Sequence, residues 1–199
     1  MISDVCKIEN GTSDLSAILK ESEKVARYNA FTHKQSLQLR LICEEIDGML
    51  PNIIDDFNGD FWVEYEDGTC KVNVSIVIPE LTAGKKSDLI NVATNKKNAA
   101  AVGIVGKIRN ALENAFLSET TALALNSSFG SFGFSTGCYD GMDYSYLWTL
   151  NDYRAATQQE QETEAWDELE KSIIANLADD IIVGVKGKQA NVVIVKKFK

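Results

Sequence analysis

Between Thr32 and Asn58 the chain reads THKQSLQLRLICEEIDGMLPNIIDDFN, a run that can bury itself in only one way. At about 100° per residue, Leu39, Ile42, Ile46, Met49 and Ile53 fall on one stripe of a helix, with Arg40, Glu44 and Asp47 opposite. Thr32 and Gln35 form a T-x-x-Q capping box, which sets the start of this helix. Pro51 disfavours helical geometry at Leu50, so the helix is expected to end or kink there. Glu45 lies between Leu41 and Met49, on the apolar side. A carboxylate there finds a partner, reaches the rim, or carries a desolvation cost. Two readings stay open for it, a rim residue that pairs or snorkels and an inward acid with a chemical role.

Other segments follow from their own periodicities. Residues 1–11 hold room for one short strand. Leu15, Ile18, Leu19, Ser22, Val25 and Ala26 recur at helical spacing over 14–28, with Thr12 and Ser13 as cap candidates. DFWVEYE and CKVNVSIVI alternate around Asp67-Gly68, the strongest hairpin signal in the chain. A helix over 99–116 carries Val102, Val105, Ile108, Leu112 and Phe116, with Gly103 and Gly106 inside it. Thr120 to Leu125 fits a strand. FGSFGFSTGCYDG, 129–141, reads as a flexible glycine-rich hairpin connection with a strand over 144–150 returning from it; it lacks the GKT or GKS of a P-loop. An acidic helix is expected over 158–178, with Trp166, Leu169, Ile173 and Leu177 on one side. Ile181 to Val185 and Asn191 to Val195 form a second hairpin of central-strand character.

This order predicts an α+β fold, a two-layer sandwich with helices on one face of a mixed, mostly antiparallel sheet. A length of 199 residues fits one domain, 1–199, with a Gly-rich insertion around 118–156. The net charge of −9 argues against nucleic-acid or membrane binding through overall charge. No apolar run approaches a membrane span of about 18 residues, and no signal peptide opens the chain, so a cytoplasmic location is expected. The four cysteines show no C-x-x-C pair and hence no zinc signature or disulfide framework. His33 is the single histidine, expected in the exposed first turn of the long helix, which removes most His-based triads and zinc sites.

Two places carry a family resemblance. ICEEIDGMLPNII resembles the helix of the histidine-kinase-like (GHKL or Bergerat) ATPases in which a glutamate activates a hydroxyl and an asparagine four residues on binds magnesium. ANLADDIIVGVKGKQANVVIVKKF resembles the closing strand pair of the bacterial anti-sigma-factor serine kinases within that group. The resemblance implies ATP with magnesium as cofactor, Glu45 as base or its remnant, and Asn52, Lys96, Lys97 and Lys107 as nucleotide contacts. The chain departs from the family at defined positions. Met49 follows Glu45 by four, Gly48 follows Glu44 by four, and IVIPELTAG stands where the family's adenine-reading Asp-x-Gly-x-Gly lies.

The function expected is a degenerate ATPase-fold regulatory or interaction protein with a protein partner in a bacterial cytoplasm. The alternative is an active ATP-dependent serine kinase with rearranged ligands. A homo-oligomer is compatible with either, as is a third role, a subunit anchored through Phe61, Trp62, Tyr65 or Trp148 at a sheet edge.

Overall fold

A computed structural model describes residues 1–9, 14–53, 57–77, 106–109, 112, 135–159 and 172–198. The strands are β1 (Cys6–Glu9), β2 (Asn58–Glu66), β3 (Thr69–Val77), β4 (Ser135–Tyr139), β5 (Met142–Thr149), β6 (Asp180–Lys186) and β7 (Gln189–Lys197). The helices are α1 (Leu15–Tyr28), α2 (His33–Ile53), α3 (Leu150–Gln159) and α4 (Ile173–Leu177). All seven strands form one sheet in the order β1-β2-β3-β7-β6-β5-β4, and every strand pair in it is antiparallel. The α+β two-layer expectation therefore holds, with an antiparallel rather than mixed sheet among the described residues.

Local chemistry explains the element boundaries. Asp14 caps α1, accepting from the Ser16 and Ala17 amides, while the candidates Thr12 and Ser13 lie outside the described residues. At the other end of α1, the Phe31 N–H donates to the Ala26 carbonyl and the Ala30 N–H to that of Arg27. This is a Schellman closure, and it places Ala30 at a φ of 51°, where glycine is usual. Two residues later the capping box forms as expected. The Thr32 N–H donates to Gln35 Oε1 at 2.9 Å and the Gln35 N–H to Thr32 Oγ1 at 3.3 Å.

The stripe on α2 is buried through Leu39, Ile42, Ile46 and Met49, which meet Phe61, Val72, Val74, Val192 and Ile194 of the sheet in one continuous core. The helix continues past Pro51 to Ile53. The exposed Pro51 removes one N–H from the ladder without ending the helix at Leu50. Both Asp-Gly pairs, 67–68 and 140–141, have positive φ at both residues, as tight two-residue hairpins require.

Three expectations are corrected. The hairpin read in the glycine-rich stretch forms, but residues 135–139 are its first strand, β4, with Asp140-Gly141 as the turn, rather than part of a flexible connection. The residues after β5 form α3, which the periodicity did not reveal. No single helix runs from 158 to 178, because Ser172 is extended and its hydroxyl accepts from the Ala175 N–H, opening α4 afresh. With the phase reset, Ile174 and Ala175 are buried and Ile173 is exposed. The expected helix over 99–116 is described only at 106–109 and 112, where it is helical with Ile108 and Leu112 in the core; the strand expected at 120–125 lies outside the described residues.

Candidate functional site

α2 is anchored at its start and along its length, which fixes the rotation of its side chains. Phe31, just before it, packs edge-on against Tyr65 at 4.9 Å and Phe198 at 4.8 Å, tying the helix start to the end of the β2–β3 hairpin. Farther along, α2 meets α1 on one side and α4 on the other.

In this setting Glu45 is half-buried, and it makes no hydrogen bond or ion pair among the described residues. Its neighbour Glu44 accepts from Arg40 Nε at 2.9 Å, as a solvent-facing acid one turn away should. The next acid on the helix departs from expectation. Asp47 is half-buried rather than solvent-facing, its Oδ1 lacks a hydrogen-bond partner among the described residues, and burial pushes its carboxyl above the usual range. The most enclosed carboxylate among the described residues is on α1. Glu21 is 6 % exposed, accepts from the Asp4 N–H at 3.1 Å and pairs with Lys24. Apolar periodicity does not point to a charged residue on the buried side of α1; the i, i+3 lysine was the available signal.

The other candidates separate. Asn52 belongs to α2, but its side chain lies outside the described set, as do Lys96 and Lys97 entirely. Lys107 is half-buried with its Nζ 5.4 Å from the ring centre of Tyr153, a cation on an aromatic face. Of the edge anchors, Phe61 and Trp148 are buried in the core and Tyr65 packs against it, while Trp62 is half-buried and donates its Nε1 to Glu64 Oε1 at 2.6 Å. His33 is exposed.

The resemblance implies a magnesium ligand four positions beyond the glutamate on α2. Four positions beyond Glu45, Met49 is 5 % exposed within the core, so that direction offers a thioether sealed among apolar side chains. Four positions beyond Glu44, Gly48 has no side chain. Hard magnesium takes oxygen ligands. Neither register supplies one, and these residues do not fit the ion.

Two of the four thiols are unreactive by placement. Cys43 and Cys70 are fully buried, and burial raises both, the Cys70 thiol to about 12. No described helix is long and apolar enough to cross a membrane.

A second feature lies on the sheet face away from α1 and α2. Ile182, Val193 and Val195 form a small apolar cluster there, packed against Tyr139 and Leu147. In the sheet order β3 and β4 are four strand spacings apart, about 19 Å if the sheet were flat. Yet Lys71 Nζ of β3 lies 2.6 Å from Asp140 Oδ2 at the β4–β5 turn and 5.8 Å from the Tyr139 ring centre. The hairpin tip therefore arches over β6 and β7. Gly184 makes this possible, because the Tyr144 ring occupies the space a Cβ would take there.

No family model, curated protein or solved structure matches this chain.

Proposed function

We propose that this chain is a regulatory protein with a degenerate ATPase-type fold, one that acts by binding a protein partner in a bacterial cytoplasm and does not transfer phosphate. The observation that carries this reading is the burial of Met49. In an ATPase helix of the type that ICEEIDGMLPNII resembles, this position would bear an oxygen ligand facing the nucleotide; here it is part of the hydrophobic core. Nucleotide phosphates need a metal or well-placed cations to offset their charge, and Lys107 is directed onto Tyr153.

The test is thermal unfolding with ATP and magnesium. A ligand at 100 times its Kd stabilises by about 2.7 kcal/mol, which for a chain of this size is a rise of roughly 5–10 °C. No rise is expected at millimolar ATP. A magnesium-dependent rise overturns the reading and favours the active kinase, and Glu45→Gln then reads the role of Glu45: retained binding with lost turnover marks a base.

A further inference from the structure

The β4–β5 hairpin is joined to the sheet unevenly. Its second strand pairs with β6 only over Tyr146–Thr149, opposite Ile182–Val185. Residues 142–144 pair with β4 alone, so the distal half of the hairpin has no ladder to the rest of the sheet. The Tyr144 ring seated over Gly184, with its hydroxyl accepting from Asn191 Nδ2, holds the base of this half, and beyond it the tip has contacts of its own. Tyr139 packs on the Ile182, Val193 and Val195 cluster, and Asp140 pairs with Lys71. An ion pair whose acid is 57 % exposed, and a cation 5.8 Å from a ring, are weak holders. The cover nonetheless matches its seat in detail, apolar on apolar and acid on base.

Resting on the reading of this chain as a partner-binding protein, we infer that the Tyr139–Asp140 tip is an internal stand-in for a partner segment. The sheet face beneath it docks a protein segment that presents an aromatic side chain beside a carboxylate. The seat is set by Lys71 for the carboxylate and by Val193, Val195 and Ile182 for the ring. Because the tip is tethered, it holds the seat at a high effective concentration, and the partner binds only as the tip lifts. The face is thus self-occluded until a segment of the same chemistry competes for it.

The experiment uses the full chain and a labelled peptide of residues 135–149 carrying Cys138→Ser. A Tyr139→Ala/Asp140→Ala chain, with its own tip disarmed, is expected to bind this peptide at least tenfold more tightly than the wild-type chain, and adding Lys71→Met should remove the gain. Equal binding to both chains, or a gain that survives Lys71→Met, overturns the proposal. Should the double variant fail to fold, Lys71→Met alone is read by amide hydrogen exchange. Exchange at 139–145 is expected to rise about tenfold with that of β7 unchanged, and unchanged exchange at 139–145 overturns the proposal. A magnesium-dependent ATP shift together with the expected peptide result would leave the strap standing and remove the regulatory reading. No ATP shift with a failed peptide result would remove the strap alone.

Discussion

Gly184→Ala tests whether the Tyr144 ring is seated where the close approach places it. An added Cβ would lie 2.6 Å from the Tyr144 Cδ1 and Cε1 atoms and 2.8 Å from Cγ. Ordinary carbon contacts are about 3.5–4.0 Å, so the ring has to retreat by roughly 1 Å. Tyr144 is 5 % exposed, and Asn191 Nδ2 donates to its hydroxyl at 3.4 Å, so the retreat also disturbs a buried polar contact. Overpacking of this kind costs about 1–3 kcal/mol. Replacing glycine restrains the unfolded chain and returns about 0.4–1 kcal/mol. The net loss is about 1–2 kcal/mol, a fall in Tm of roughly 2–8 °C. Urea unfolding followed by tryptophan fluorescence measures it. The control is Tyr144→Ala, which is destabilising on its own but removes the obstructing ring. In that background Gly184→Ala should be neutral or slightly stabilising. If Gly184→Ala costs the same with and without the ring, the clash is not the cause and the seating of the hairpin over Gly184 is refuted.

Two further predictions concern the helices. Ala30→Gly should stabilise by about 1 kcal/mol or less, since it relieves a left-handed alanine in the Schellman closure; a loss of stability in urea unfolding would contradict that geometry. Asp47→Asn is expected to stabilise at neutral pH. Burial raises the folded pKa of Asp47 above its unfolded value, so the folded state binds the proton more tightly and the group costs stability as pH rises through its raised pKa. The gain from Asn should shrink below the ordinary aspartate range, where both states are protonated. Its size stays below about 1 kcal/mol because water still reaches the carboxylate, and a benefit independent of pH would remove the titration argument.

The legible parts of the fold were those whose signal is local. The Thr32 and Gln35 box, the Asp67-Gly68 turn and the β6–β7 pair rest on residues adjacent or three apart, and each formed as read. The second Asp-Gly turn, at 140–141, was obscured because three further glycines before it suggested a flexible connection, although the pair itself carried the hairpin signal. α3 was missed because LNDYRAATQQ has few apolar residues; its burial rests on Leu150 and Tyr153, too few to show a period. The error at Ile173 came from carrying one helical phase through Ser172, where the chain restarts. For the candidate site, the sequence located the unusual helix but not the unusual acid. Glu45 is half-buried as its wheel position suggests, whereas the enclosure of Asp47 and Glu21 depends on elements remote in sequence, Asp4 among them. The arch of β4–β5 onto Lys71 spans 69 residues of chain and has no local signature.

The position of β7 bears on how the chain assembles. It is the fourth strand of seven across the sheet and the last in chain order, pairing residues 69–77 on one side with residues 180–186 on the other. A chain emerging from the ribosome can close the β2–β3 and β4–β5 hairpins early, but until residues 189–197 appear these halves have no seam between them. Each then presents an unpaired edge, β3 with its Val72, Val74 and Ile76 among them. Such edges pair readily with other chains, and long-range closure of this kind is slow. The interval before β7 is made is therefore the one in which this protein is most exposed to aggregation, and a C-terminal truncation that removes β7 would leave two half-sheets rather than a smaller domain.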